Sequence, residues 1–310
     1  MIIDMHCDSV LGAFQGNRKL TDRAQVGHFD LPRMQSAGVK IQFFALFPDI
    51  TASLSPLRQV LILGDYFWEQ YEESQEIMQL ITSHQSLLQL LGLKKCGALL
   101  TVEGGEVLEG DLRMLRVLYR MGVRSLCLTW NNRNEIADGV AEMQTGGGLT
   151  LFGREVVREM NKIGMIVDVS HIAEKGFWDV LELREAPVIA SHSNSQAVWD
   201  HPRNLTDEQI KGIAQKKGVI GLNFVADFLG EQGSGLDQLL RHIDHICDLV
   251  GDDYLGFGSD FDGTDNLLAG IDDVTIYPEL ISFLKKRNYK DTTIRKICGE
   301  NCLRVLNAVL

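Results

Sequence analysis

Eight short runs of apolar, β-branched residues recur along the sequence, each followed by polar or glycine-rich residues and, after most, by a stretch of helical periodicity. They are Ile2–Asp8, Val39–Phe47, Gly97–Glu103, Ser125–Trp130, Met165–His171, Val188–His192, Val219–Phe224 and Leu255–Asp260. Continuously apolar strands separated by helices imply a parallel sheet covered on both faces, and eight such units are what a closed (β/α)8 TIM-type barrel of the α/β class requires. An open doubly wound sheet is the alternative. It would favour a G-x-G-x-x-G turn after the first strand, and the glycines Gly146-Gly147-Gly148 instead lie in a loop. The intervening segments carry ordinary helix patterns at Leu112–Met121, Gly153–Ile163 and Asp207–Gln215, the last with Thr206 as N-cap. Residues 52–93 exceed one crossover and predict two helices, an elaboration of a single barrel domain spanning 1–310.

Composition narrows the partners. With 42 acidic against 30 basic residues the net charge is −12, a surface that repels phosphate backbones and anionic lipid, so nucleic acid and membrane are not expected partners. No apolar run approaches the roughly 20 residues of a spanning helix, and Met1-Ile2-Ile3-Asp4 lacks a charged-then-apolar leader, so the expected location is cytoplasmic. The cysteines Cys7, Cys96, Cys127, Cys247, Cys298 and Cys302 are scattered without a C-x-x-C pair and read as reduced core residues.

The apolar strands end in metal-ligand residue types, at the face where a barrel of this kind keeps its active site. In His6-Cys7-Asp8, alternation along a strand puts His6 and Asp8 on one face and Cys7 on the other. The third strand closes on Glu103 before two glycines, a carboxylate suited to bridging two cations. The fifth and sixth strands each end in an imidazole, His171 and His192. Taken singly, each is as readily a polar strand end or loop acid; together they describe a metal site. The eighth strand ends Gly258-Ser259-Asp260-Phe261-Asp262-Gly263. Asp260 and Asp262 are expected to share a face, Asp260 as the proton-handling carboxylate and Asp262 holding the following turn. Two neighbouring divalent ions lower the pKa of a bridging water and polarise a carbonyl, while a carboxylate passes the proton to the leaving amine: hydrolysis of an amide or ester.

In this order the motifs resemble the renal (membrane) dipeptidases, peptidase family M19 of the amidohydrolase-like metal-dependent barrels. The likeness runs from Asp4-Met5-His6-Cys7-Asp8 through Val102-Glu103-Gly104-Gly105, Asp168-Val169-Ser170-His171, Ser191-His192-Ser193, Pro202-Arg203-Asn204 and Gly258–Gly263 to Gly299-Glu300-Asn301. The resemblance implies a dipeptidase acting through a hydroxide between two Zn2+ ions per chain. One ion is held by His6, Asp8 and Glu103, the other by Glu103, His171 and His192, with Glu103 bridging. It implies Asp260 as general acid/base and Arg203 on the dipeptide's carboxylate or carbonyl oxygen, a task suited to a planar, permanently charged fork. From the residues alone, Arg203 reads as a surface arginine in a loop before a helix. The resemblance further points to dipeptides with a D residue at the C-terminal position, and to a homodimer.

Two positions depart from the family pattern. Trp130 stands where many members carry a histidine that holds the substrate carbonyl; its indole N–H can donate one hydrogen bond but carries no charge. Phe47 stands where tyrosine is common. Both are candidate substrate-contacting residues. A strand-four lysine, which related amidohydrolases carbamylate to bridge their metals, is missing, so Glu103 takes that role. His28, His84, His242 and His245 fall outside the strand tips and are not assigned to the metals, and His201, beside Arg203, is left unassigned. Two other readings stand beside the dipeptidase: a same-fold hydrolase of another small amide such as an N-acyl amino acid, motivated by Trp130 and Phe47, and a catalytically silent metal-bound binding barrel, against which Asp260 argues.

Overall fold

The computed structural model describes residues 1–49, 51–231, 233 and 235–310. Its strands are β1 (Ile2–Asp4), β2 (Val39–Leu46), β3 (Met78–Leu80), β4 (Cys96–Glu103), β5 (Val123–Cys127), β6 (Ile166–Asp168), β7 (Ile189–Ala190), β8 (Val219–Leu222) and β9 (Leu255–Phe257). All pair in parallel in the order β2-β1-β9-β8-β7-β6-β5-β4-β3, and β2 also pairs with β4, which closes eight of the strands into a barrel. The ninth, β3, is the strand the periodicity did not reveal. It pairs with the first residues of β4 (Met78 with Cys96, Leu80 with Ala98), while β5 pairs from Leu100 onward. β3 therefore extends one edge of β4 near the floor of the barrel. It lies inside the elaboration, between the two expected helices, Pro56–Ser74 and His84–Leu91.

The interior is a packed core. Ile3, Met5, Ile41, Phe43, Leu99, Ile166, Ile189 and Val219 form one cluster with Cys302, Val305 and Leu306 of the C-terminal helix Asn301–Val309. A larger apolar cluster, including Ala98, Leu100, Val102, Val167, Ala190 and Ile220, joins the outward strand faces to the surrounding helices. The alternation of side chains along each strand divides the two. Helix Asp207–Gln215 begins as its cap chemistry dictates: Thr206 and Gln209 satisfy one another's backbone N–H groups in a capping box. All six cysteines are free, five of them buried. Among the described residues no helix is long and apolar enough to cross a membrane.

Several ladders are shorter than the apolar runs suggested. β1 stops at Asp4, β6 at Asp168 and β9 at Phe257, so His6, His171 and Asp260 lie beyond regular pairing. At two of these ends an aspartate turns the chain: Asp4 Oδ1 accepts from His6 N at 3.2 Å, and Asp168 Oδ1 from Ser170 N at 3.0 Å. His171 and Asp260 then adopt left-handed backbone, φ 64° and 66°, a conformation uncommon for residues with a Cβ that clusters at functional sites.

Candidate metal centre and active site

The turn at Asp4 resets the alternation of the first strand. Met5 packs inward with the barrel core, yet His6 also faces the interior, while Cys7 points away to donate to Phe43 O at 3.4 Å. Asp8 returns to the inner side, its Oδ2 at 3.3 Å from His6 Nε2. Glu103 ends β4 between the two groups of ligands. Its Oε2 lies 3.4 Å from His6 Nε2; its Oε1 lies 2.9 Å from His171 Nε2 and 3.4 Å from His192 Nε2. The structure thus brings all five expected ligands together, each buried. His6, Glu103 and His192 offer ligand atoms within 4.8 Å of one another, and so do His6, Asp8 and Asp260. Asp260 Oδ1 lies 3.7 Å from His6 Nε2.

The outer nitrogens of two imidazoles settle what their inner nitrogens can do. His171 Nδ1 lies 2.7 Å from Asn131 Oδ1, an acceptor, so Nδ1 carries the proton and Nε2 presents a lone pair. Ser191 Oγ gives its proton to Asp168 Oδ2, leaving it to accept from His192 Nδ1 at 2.7 Å. His192 Nε2 is then a lone pair as well. The two Nε2 atoms nevertheless stand 2.7 Å apart, both facing Glu103 Oε1. Three lone pairs converging on one buried point suit a cation. Burial, with the Arg203 guanidinium, lowers the His171 pKa to about 4, and burial with His6 holds His192 well below its usual range, which favours the neutral imidazole that metal coordination requires.

His6 is the opposite case. Burial opposes its charge, but Glu103 and Asp8 outweigh burial and raise its pKa well above the ordinary value. Burial, with Glu103, lifts Asp8 to about 7; for Glu103 the three imidazoles overcome burial and hold the carboxyl well below its usual range. Asp8 Oδ1 is buried without a partner. A pocket with three carboxylates around His6 and an orphaned acceptor fits a divalent ion with N and O ligands.

A cleft of about 320 Å³ opens over this cluster, lined among others by Leu11, Phe47, Trp130, Phe228, Asp260 and Gly263. Phe47 and Trp130 form one wall, ring edge to face at 5.5 Å, and Trp130 stands 6.3 Å from the His171 ring. Arg203 is not the surface residue its sequence context suggested: it is 5% exposed. Its Nη2 donates to His192 O at 3.1 Å, its Nε has no partner, and burial depresses its pKa. It lines a neighbouring cavity rather than the cleft. Asp262 also departs from expectation. Asp260 and Asp262 both line the cleft and both have left-handed backbone, but their carboxylates have different partners. Asp262 accepts from Arg18 Nη2 at 3.0 Å and from His28 N at 2.6 Å, and so anchors a distant loop rather than its own turn.

Sequence reasoning did not single out Asn131, which follows Trp130, nor the roles of Asp168 and Ser191, although Ser191 adjoins His192 and Asp168 opens the motif that ends in His171. Asn223, whose Nδ2 donates to Asp260 Oδ2 at 2.8 Å, and Phe228, under the Arg203 guanidinium at 5.6 Å, carry no signal in the chain order.

The model of the membrane dipeptidase family (peptidase family M19) matches residues 1–310. The chain belongs to that family. Dipeptidase tcpJ of Claviceps purpurea is 31% identical over 296 residues, 91% of this chain and 69% of the relative. The crystal structure of dipeptidase AC, an M19 metallopeptidase, superposes with a TM-score of 0.93 at 31% identity, covering 99% of this chain and 98% of that one. A metallopeptidase from Rhodobacter sphaeroides, liganded with a phosphinate mimic of the dipeptide L-Ala-D-Ala, matches with a TM-score of 0.93 at 30% identity, over 100% of this chain and 99% of that one. This M19 dipeptidase is a peptide-bond hydrolase on a TIM-type barrel, and its family uses a metal cofactor.

Proposed function

We propose that the protein hydrolyses small dipeptides at a centre of two zinc ions, one held by His6, Asp8 and Glu103, the other by Glu103, His171 and His192. The observation that carries this reading is the convergence of the His171 and His192 lone pairs on Glu103 Oε1, with Oε2 turned to His6. When bound, such ions polarise the scissile carbonyl and lower the pKa of water. Glu103 places one oxygen toward each group of ligands, the disposition of a bridging carboxylate. Asn131 and the Asp168–Ser191 pair fix the imidazole tautomers, as partners behind metal-bound histidines do.

Asp260 handles the proton. Asn223 holds its Oδ2, leaving Oδ1 beside His6 free to take a proton from water and deliver it to the departing amine nitrogen. Arg203, a buried guanidinium with an unused Nε, receives the dipeptide's carboxylate. The ligand in the Rhodobacter relative supports a D residue at the C-terminal position.

The test is turnover of zinc-loaded protein on paired L,L and L,D dipeptides, with an N-acyl amino acid alongside and bound metal measured in the wild type and in His171→Ala. Two ions per chain and dipeptide cleavage that disappears in the variant are expected. Cleavage of the N-acyl amino acid alone would replace the dipeptide by another amide, and metal binding without turnover on any substrate would leave a binding barrel.

A further inference from the structure

Asp260 stands in left-handed backbone at φ 66°, and Asp262, two residues on, at φ 64°. Such backbone costs free energy in a residue with a Cβ and persists where its surroundings hold it. On the side of the ligands the continuation of the first strand does so: His6 O accepts from Asp260 N at 3.2 Å, and Phe261 O from Asp8 N at 2.8 Å. On the far side the holding comes from loop 16–30, between helices Ser9–Gln15 and Leu31–Ala37. His28 engages Asp262 twice, its N–H donating to Oδ1 at 2.6 Å and its Nδ1 accepting from Asp262 N at 3.1 Å. Arg18 Nη2 donates to the other carboxylate oxygen at 3.0 Å, in a pair whose side chains are 10% and 5% exposed. The loop is itself pinned from behind. Arg33 donates to Gly27 O, Val274 N to His28 O, and Arg18 Nη1 to Phe29 O. Gly27 permits the close passage: a Cβ on it would lie 2.5 Å from Arg18 Nη2 and 2.8 Å from Asp262 Oδ1.

Resting on the reading of Asp260 as the proton-handling group of a dipeptidase, we infer that Arg18 and His28 are positioning residues for that proton transfer. They clamp Asp262, and Asp262 fixes the left-handed turn from which Asp260 Oδ1 stands 3.7 Å from His6 Nε2. Asn223 holds only the Oδ2 end of the Asp260 side chain; the turn sets the backbone beneath it. The clamp acts on the proton rather than on the metals, because His6 and Asp8 keep their own backbone bonds to Asp260 and Phe261. With Asp262 released, the Asp260 carboxylate is free to shift, and a misplacement of about 1 Å can cost about 10²-fold in rate. The part His28 plays is that of an acceptor. Asp262 N–H can donate to Nδ1 only where that nitrogen holds a lone pair, so the imidazole proton is on Nε2. An asparagine carries its Oδ1 at the same place along the side chain, and a leucine offers no acceptor there.

The test uses zinc-loaded protein and a dipeptide that the wild type cleaves, with His28→Leu, His28→Asn and Arg18→Met each made in the wild type and in Asp260→Asn. Circular dichroism and melting temperature establish folding, and elemental analysis the zinc content. In the wild-type background His28→Leu and Arg18→Met should lower kcat about 10–100-fold, with KM and zinc content within about twofold. His28→Asn should recover most of that loss. In Asp260→Asn the same changes should cost less than about twofold in kcat, because residues that act through one group are not additive. A structural role alone would lower the melting temperature with kcat intact, or lower kcat equally in both backgrounds. Either result overturns the assignment, as do equal losses in His28→Leu and His28→Asn, or zinc lost in step with activity. Where Arg18→Met fails to fold, the two His28 variants decide alone. Absence of turnover on every dipeptide in the wild type would instead overturn the dipeptidase reading, and full turnover by Asp260→Asn the role of Asp260, each taking this assignment with it.

Discussion

His171 Nε2 and His192 Nε2 face one another at 2.7 Å, each with its proton on the opposite nitrogen. Neither can donate to the other, and Glu103 Oε1 adds a third lone pair. Such a cluster is poorly matched to itself and well matched to a cation.

Glu103 touches both groups of ligands, so Glu103→Gln should cost both ions rather than one. Elemental analysis after equilibrium dialysis against buffered zinc is expected to show little residual metal, with turnover lost in parallel. Retention of one full equivalent would mean that Glu103 does not bridge.

Asn131 acts on His171 only through its ring. Asn131→Leu removes the acceptor for Nδ1–H and should weaken metal binding by about 10–100-fold, read by competition with a chromogenic chelator. Asn131→Asp keeps an acceptor and should restore most of the affinity. Unchanged affinity in the leucine variant would remove Asn131 from the centre.

Asp260→Asn should lower kcat by roughly 10²–10⁴-fold with zinc content and KM little altered, because the amide keeps the shape but takes no proton. A loss of metal instead would make Asp260 a ligand, a role its 3.7 Å approach to His6 also allows.

Gly263 closes the turn against the ligands. A Cβ there would fall on Asp8 Oδ2 and Asp260 Oδ1. Gly263→Ala is expected to fold, since only side chains must give way, yet to lose metal affinity and turnover together, as measured by dialysis and kinetics on one preparation.

Tyr277 donates to Asp4 Oδ2 at 2.7 Å, and Asp4 is fully buried behind the His6 turn, where it also accepts from Ser259. Tyr277→Phe leaves Asp4 with fewer donors and should destabilise the fold by about 1–3 kcal/mol, measured by urea denaturation.

Much of this protein is written locally. Eight apolar runs announce the barrel strands because a strand buried on both faces must be apolar throughout, and His6, Asp8, Glu103, His171 and His192 announce the centre because they interrupt that pattern at the ends of four of the runs. β3 escaped because three residues carry no period; pairing with Cys96–Ala98 makes Met78–Leu80 a strand. The face shared by His6 and Asp8 follows from alternation only after the turn at Asp4 has reset it, and Asp260 and Asp262 lie in left-handed backbone that alternation does not describe.

What the chain order determined by itself was which residues would stand at the mouth of the barrel. Tertiary structure alone decided what each can do there: that Asn131 and Ser191 turn two imidazoles into facing lone pairs, that Asn223 holds Asp260, that Arg203 is buried rather than exposed. The reason is physical. Strand identity depends on neighbours a few residues away, whereas protonation, tautomer and burial are set by groups brought together from distant strands.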